Sequence, residues 1–341
     1  MGFTKQEFRV VVAGKDVTSR FAPRLLDLTV ERSAGKAADC ATVKIANPKG
    51  EVFMPSERAA MTIDLGGEWA FEGFVSEVQC DLSKGSGRTM SITASSVDQG
   101  SKAKEPMLRH MDDATLSEVA TEFGQKAGLD VQVSGSIATL HRDYWIQQNE
   151  SFQSWGQRVA NEVGGTFKII GSRAFMTARN EGLSASGRTL TEISAVAGDN
   201  GNLISASIRP IVSRPKFRNV EISYFDTNKG ERVTEEIDTG IGDVEAKLRS
   251  VINTAGKDHA QQKANALGKE SDREKGQGDI VIVGDARAEP EAICTVAGVM
   301  PGADGAYRID TVLHRMSKSG GFQTSLTLRQ PQSGAGKDPR E

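Results

Sequence analysis

Apolar and polar positions alternate with a period of two along most of this chain. Phe8, Val10 and Val12 are in step, and Lys15-Asp16 turns the chain. Leu26, Leu28 and Val30 follow, then Ala41, Val43 and Ile45, which Asn47-Pro48-Lys49-Gly50 ends as a turn. Met61, Ile63 and Leu65 lead into Gly66-Gly67, a hairpin candidate, and Trp69, Phe71, Gly73 and Val75 lead out of it. Met90, Ile92 and Ala94 close the set. Short strands at this spacing predict a closed or nearly closed barrel over residues 1–100.

The period changes over residues 101–182. Thr115 and Glu118 form a capping box ahead of Leu116, Val119, Ala120 and Phe123, and the predicted helix stops near Gly128. Phe152, Trp155, Val159 and Val163, spaced 3, 4 and 4, predict a second helix that ends at Gly164-Gly165. A strand pair at 166–170 and 174–178, turning at Gly171-Ser172, completes a small α/β insert.

Residues 183–329 return to strands and predict a second barrel. Its first strands are 203–208, 220–225 and 231–237, with a turn at Asn228-Lys229-Gly230. A helical insertion is placed at 244–275; its apolar positions (Ala260, Ala264, Leu267) are few, so it packs lightly. Strands at 279–283 and 292–296 precede a closing hairpin. In that hairpin Tyr307, Ile309, Thr311 and Leu313 share one face of the first strand. Phe322, Thr324, Leu326 and Leu328 share one face of the second. Residues 330–341 are Gln, Pro, Ser, Gly and charge, and predict a flexible tail. The fold class is mainly β: two tube-like barrels separated by a small α+β domain.

With 341 residues the chain can hold two or three cores. Its 36 glycines fall between short apolar runs and fit a turn-rich β protein. A net charge of −3 argues against a general nucleic-acid binder. The basic run Arg209, Arg214, Lys216 and Arg218 reads as solvated strand flanks around Pro210 and Pro215. Cys40, Cys80 and Cys294 are an odd, widely spaced set, read as reduced thiols in a bacterial cytoplasm. The N-terminus lacks a signal-peptide pattern, and no apolar run approaches the roughly 20 residues of a membrane helix. The sequon Asn149-Glu150-Ser151 is a chance match in that setting.

No catalytic constellation emerges. Gly182 to Gly187 has the wrong spacing for a nucleophile elbow, and Gly240-Ile241-Gly242 lacks the third glycine of a dinucleotide fingerprint. His110, His141, His259 and His314 are isolated from one another and from every cysteine, so no metal site is expected. Asp112-Asp113 supports the first helix terminus, whereas Glu235-Glu236 points its side chains to opposite faces of a strand. Tyr144, Trp145, Phe152 and Trp155 read as core of the insert rather than a stacking pocket. Catalytic, cofactor-binding and metal residues are therefore expected to be none.

The closing hairpin carries Gly302, Gly305, Tyr307, Arg308, Ile309, Val312 and His314. Gly321, Phe322, Thr324, Leu326, Leu328 and Arg329 follow. This pattern resembles the phage late control gene D family, the tail hub proteins of contractile-tailed phages. The N-terminal hub part of type VI secretion valine-glycine-repeat spike proteins is related to it. Gln148 to Phe152, with Trp155, Arg158, Glu162 and Gly164, also looks like that family. The resemblance implies a structural, non-enzymatic homotrimer in the virion tail tip that adapts a six-fold tail tube to a three-fold central spike. It further implies contacts with tube, spike, baseplate wedge and tape-measure proteins, and a channel through which DNA passes without sequence-specific binding. It implies no cofactor, and His314 falls where the family often has a histidine, read as a packing residue at the barrel rim. A hub of a tailocin or another contractile injection system is the nearest alternative. A monomeric β-rich binding or cell-wall-active module is the second.

Overall fold

A computed structural model describes residues 8–338 and 340, apart from 86, 185, 213–216, 227–228, 241–243, 251–253 and 255. Residues 1–7, Arg214, Pro215, Lys216, Asn228, Ile241 and Gly242, all part of the sequence reading, lie outside the described residues. Strands hold 52% of the chain and helices 17%, so the class is mainly β, as the alternation predicts.

The first module comprises β1 (Phe8–Val12), β2 (Lys15–Asp16), α1 (Thr18–Phe21), β3 (Leu25–Ser33) and β4 (Cys40–Ala46). β5 (Ala60–Leu65), β6 (Glu68–Ser83) and β7 (Gly87–Ser95) complete it. Its strands pair antiparallel in the order β2-β1-β5-β6-β7-β4-β3. Val10, Leu28, Val43, Ile63, Phe71 and Ile92 fill one face and form its core. A bulge between Leu25 and Asp27 puts Leu25 inside and leaves Leu26 exposed, so the expected Leu26-Leu28-Val30 step is broken at its first position.

The insert contains β8 (Pro106–Thr115), α2 (Leu116–Lys126), β9 (Asp130–Ser134), β10 (His141–Ser151), α3 (Phe152–Val163), β11 (Gly165–Ile170) and β12 (Arg173–Ala178). Both helices match the reading. Thr115 and Glu118 form the reciprocal capping box, and Gly164 ends α3 at φ 70°. The β8–β10 pair was not foreseen, because its exposed, polar-rich strands carry no clean alternation. β12 pairs with β11 antiparallel and with β9 parallel.

The second module contains β13 (Ile193–Val196) and β14 (Leu203–Arg209). A separate sheet interrupts it: β15 (Phe217–Asp226), β16 (Glu231–Asp238) and β17 (Val244–Arg249), backed by α4 (Lys257–Arg273). The module resumes with β18 (Gln277–Val283), β19 (Ile293–Ala297), β20 (Gly305–Ser317) and β21 (Gly321–Arg329). The order is β13-β19-β20-β21-β18-β14. β15 and β16 were expected inside this module. They pair with β17 instead, and Val220, Ile222 and Ile237 pack on Ala260 and Ala264 as a core of their own. Residues 244–249 are strand rather than the start of a helical insertion.

β20 joins the two modules. Its first residues pair with β19, and beyond a bulge between Ile309 and Thr311 the same edge pairs with β3, from Thr311↔Ser33 to Ser317↔Asp27. The bulge also switches faces. Tyr307 and Ile309 are buried, then Val312, His314 and Met316, while Thr311 and Leu313 turn outward, contrary to the simple period of two. The result is one thirteen-stranded sheet over two cores rather than two closed barrels. No ladder closes either module among the described residues. In the second, Asn202 bridges the ends: its Oδ1 accepts from Val196 N at 2.9 Å and its Nδ2 donates to Ser194 O at 2.8 Å.

The C-terminal residues, expected to be flexible, fold back. Ala306 N donates to Ser333 O, Gln332 N to Ala306 O, and Ala335 packs on the second core.

Candidate interaction surface

Because β20 bridges the modules, the outward face of the sheet is continuous from one to the other. Register fixes a row across seven strands: Val283 (β18), Gln323 (β21), Arg315 (β20), Thr29 (β3), Thr42 (β4), Thr93 (β7) and Glu77 (β6). A parallel row runs Gly321, Ser317, Asp27, Lys44, Ser91, Gln79. The opposite face of every one of these strands is core. Alternation therefore yields a wall with an apolar back and a hydroxyl- and amide-rich front.

Side chains on this front bond to one another across strands. Thr42 Oγ1 and Thr93 Oγ1 lie 3.4 Å apart, Thr311 Oγ1 donates to Ser33 Oγ at 3.1 Å, and Thr327 Oγ1 donates to Asp279 at 3.0 Å. Arg315 donates to Asp27 at 2.8 Å across the β20–β3 seam. On these seven strands Asp27, Glu31, Glu77, Asp81 and Asp279 outnumber Lys44, Arg315 and Arg329, so the front is mildly acidic.

Behind the front, partly buried ion networks link the units. Arg32 lies 3.9 Å from Asp39 and 3.4 Å from Glu289, Lys168 pairs with Asp39, and Arg188 reaches Glu289 at 3.3 Å. That network joins the first module, the insert and the second module. Burial pulls the Lys168 ammonium below its ordinary value while Asp39 opposes this. A second network joins α4 to the second module: Arg273 meets Glu291 at 3.0 Å and Asp310 at 3.2 Å, and Arg329 meets Asp310 at 3.4 Å. Asp310 is the bulge residue of β20, so the bulge aims its carboxylate at both arginines.

A third network lies between the insert and α4. Glu162 receives Arg142 at 3.0 Å and Arg158 at 3.1 Å, with His259 at 3.3 Å. Burial would raise the Glu162 carboxyl, but His259, Arg142 and Arg158 outweigh it and hold it at about 2.

These junction charges were missed in the sequence. One signal was present: Arg32 continues the inward parity of Leu28 and Val30, where a strand should place an apolar residue.

The residues weighed earlier for chemistry stay apart. His110 stacks on Tyr144 at 5.6 Å, His141 meets Asp113 at 2.9 Å, and His259 belongs to the third network. His314 is fully buried at the module seam rather than at a rim. Trp145 and Trp155 are buried, donating to Ala114 O at 2.8 Å and Ile146 O at 3.1 Å, whereas Tyr144 is partly exposed. Glu235 meets the Tyr224 hydroxyl and Glu236 meets Lys247, so the two carboxylates diverge. Cys40, Cys80 and Cys294 are free thiols, and burial pushes Cys294 up to about 12. Among the described residues no cluster of His, Cys, Asp or Glu could hold a metal ion. No described helix is long and apolar enough to cross a membrane.

No family model matches the chain. A probable baseplate hub protein of Escherichia phage 186 is 21% identical over 196 residues, covering 56% of this chain and 50% of that protein. Its counterpart from Escherichia phage P2 is 21% identical over 202 residues, covering 57% and 50%. The chain thus spans about half the length of the curated relatives it matches. Among solved structures, a 43 kDa tail protein of prophage MuSo2 from Shewanella oneidensis superposes with a TM-score of 0.69 at 16% identity, covering 94% of this chain and 97% of that one. An E. coli component of the type VI secretion system gives a TM-score of 0.57 at 9% identity, covering 93% and 76%. The resemblance to phage baseplate hub proteins, first seen in the closing hairpin, is borne out, and the fold is that of phage tail proteins.

Proposed function

We propose that this chain is a structural subunit of a phage baseplate hub, located at the tail tip of the virion. In this reading three copies form an annulus around a channel, and the continuous polar front lines it. The carrying observation is the row from Val283 to Glu77, which crosses from one module to the other without a break in register. A sheet with one wet face and one core face suits the wall of a water-filled passage. Its scarcity of cations suits passage of DNA and an extended tape-measure protein, since phosphates meet little to retain them.

The two modules have seven and six strands and separate cores, so in this reading each subunit supplies two adjacent wedges. Three subunits then offer six positions to a tail tube on one side and a three-fold platform to a central spike on the other. A ring of this kind follows from a head-to-tail interface whose rotation closes. The wedge proteins of the baseplate would meet the outside of the insert. In this reading the role is structural rather than enzymatic, with the ion networks holding the units together.

Class averages of the purified chain by electron microscopy, alone and with its cognate spike, test the reading. A three-fold annulus with a central pore is expected. Isolated monomers in the presence of the spike would overturn it.

A further inference from the structure

The two modules repeat one another strand for strand. Apart from the two-residue β2, the order β1-β5-β6-β7-β4-β3 of the first matches β13-β19-β20-β21-β18-β14 of the second, each strand having its counterpart in chain order. The bulges coincide as well. β3 carries an extra residue between Leu25 and Asp27 where β14 carries one between Leu203 and Ser205. β6 carries one between Val75 and Glu77 where β20 carries one between Ile309 and Thr311. Ser83↔Gly87 closes one hairpin as Ser317↔Gly321 closes the other. Register then equates Glu77–Ser83 with Thr311–Ser317, and Asp27–Glu31 with Ser205–Arg209. Only the outermost strand departs: β13 runs parallel to β19, whereas β1 runs antiparallel to β5.

Equivalent edges are covered differently. Thr311–Ser317 of β20 pairs with β3, and Val312, His314 and Met316 are buried there. The counterpart Glu77–Ser83 of β6 pairs with β7, and its other edge meets no strand among the described residues. Leu82 is 73% exposed where its counterpart Met316 is 1% exposed. The neighbouring loops differ in the same way. Ala286, after β18, enters the core of the first module, whereas Phe53, on the corresponding loop after β4, is 84% exposed. β14, the counterpart of β3, ends the sheet, and its outer edge also meets no strand among the described residues. Uncovered edges that carry apolar side chains are templates for another chain.

We propose that Glu77–Ser83 of one subunit pairs antiparallel with Ser205–Arg209 of the next, repeating between chains the β20–β3 junction found within each. The occupant is a second copy of this chain, and the inference rests on the annulus proposed above, for which it supplies the contact. Transferring the internal register puts Gln79 opposite Arg209, Cys80 opposite Ile208, Asp81 opposite Ser207 and Leu82 opposite Ala206. Charge agrees with this register. Arg209 lies diagonal to both Glu77 and Asp81, as Arg315 lies diagonal to Asp27, its partner at 2.8 Å. The two edges are different surfaces, so the contact is head-to-tail and carries the polar front from one subunit to the next.

Disulfide trapping in the full chain, assembled with its spike, tests the pairing. Opposed Cα atoms of antiparallel strands lie about 4.5–5.5 Å apart, within disulfide reach. Under mild oxidation, Ile208→Cys should cross-link to the native, exposed Cys80 of the next copy, and Cys80→Ser in the same background should abolish the product. Asp81→Cys with Ser207→Cys samples the adjacent pair, in which the side chains approach differently. Leu82→Asp changes an exposed position of the isolated chain and should leave its melting temperature within about 2 °C of the parent. It should weaken assembly about tenfold or more, because the new carboxylate would be buried at the contact. An annulus that forms without either cross-link, or that tolerates Leu82→Asp, overturns this pairing and leaves the annulus standing. A chain that stays monomeric beside its spike overturns both.

Discussion

The Nδ1 atom of His314 lies 3.0 Å from the Thr324 hydroxyl, which also accepts from the Asp285 amide at 3.0 Å. His314 stands opposite Val30 across the pair that joins β20 to β3. The contact therefore ties β20 to β21 and to the loop after β18, directly beside the seam with β3. A neutral imidazole can make it at no electrostatic cost; an imidazolium there would be a buried charge beside Arg32.

That contact makes stability depend on pH. Burial first, then repulsion from Arg32, lowers the His314 pKa to about 4, with Asp285 opposing. The folded state thus refuses a proton that the unfolded chain takes up below about 6.5. Stability from this source is complete above about pH 6.5 and is lost progressively as the pH falls toward 4, by roughly 3 kcal/mol in all. In His314→Gln the side chain still reaches Thr324 and no longer titrates. Its urea midpoint should fall less between pH 7 and pH 4.5 than that of the parent protein; parallel curves would refute the assignment.

The Lys168–Asp39 pair predicts a non-additive pair of mutations. Both side chains are almost fully buried, and Asp39 keeps only Arg32, at 3.9 Å, once Lys168 is gone. Lys168→Met should cost about 3–5 kcal/mol, because it strands a buried carboxylate. Adding Asp39→Asn to Lys168→Met should recover part of that loss. Urea unfolding of the single and double variants measures the coupling, and simple additivity would show that the pair carries no energy of its own.

Much of the local structure was legible because its signals lie within a few residues. The Thr115–Glu118 box, the buried stripe Phe152, Trp155, Val159 and Val163, and the left-handed Gly164 are all short-range features. What escaped the reading is set by pairing at long range. The β20 bulge reverses the expected faces at Thr311 and Leu313, and no nearby residue announces it. β15 and β16 alternate like module strands, and only their partners, β17 and α4, assign them to another unit. The polar front and the buried junction behind it were invisible for the same reason: Arg315 meets Thr29 on the front, and Lys168 meets Asp39 behind it, across more than a hundred residues.

Asn202 is expected to hold the second module shut. Its amide replaces the ladder bonds that β13 and β14 do not make. Asn202→Ala removes an acceptor for Val196 N and a donor for Ser194 O, at a cost of about 1–2 kcal/mol. Amide hydrogen exchange at Val196 should accelerate, while exchange in the first module stays unchanged. Equal acceleration in both modules would mean that the bridge is not local.

Gly156 gives a prediction opposite in sign to helix propensity. In an exposed helix Gly→Ala gains about 1 kcal/mol. Here a Cβ at position 156 would meet the Phe167 ring at 2.4 Å, and Phe167 is locked against Phe152. Gly156→Ala should therefore destabilise the insert by about 1–3 kcal/mol through overpacking. A raised melting temperature would contradict the close approach of α3 to β11.

Charge on the polar front should govern what the assembled channel retains. Thr42 and Ser325 stand on the front of different modules, and neither side chain enters a core. Thr42→Lys with Ser325→Lys should leave monomer stability within about 0.5 kcal/mol, as for other surface changes. The effect should appear only in the annulus, where the added cations of three subunits converge on one passage. Double-stranded DNA should then be retained by the variant assembly at low salt and released steeply as salt rises, because each phosphate contact displaces counterions. The parent assembly should retain none. If the variant annulus binds no more DNA than the parent at any salt concentration, the front does not face the channel, and the wall must be built from other strands.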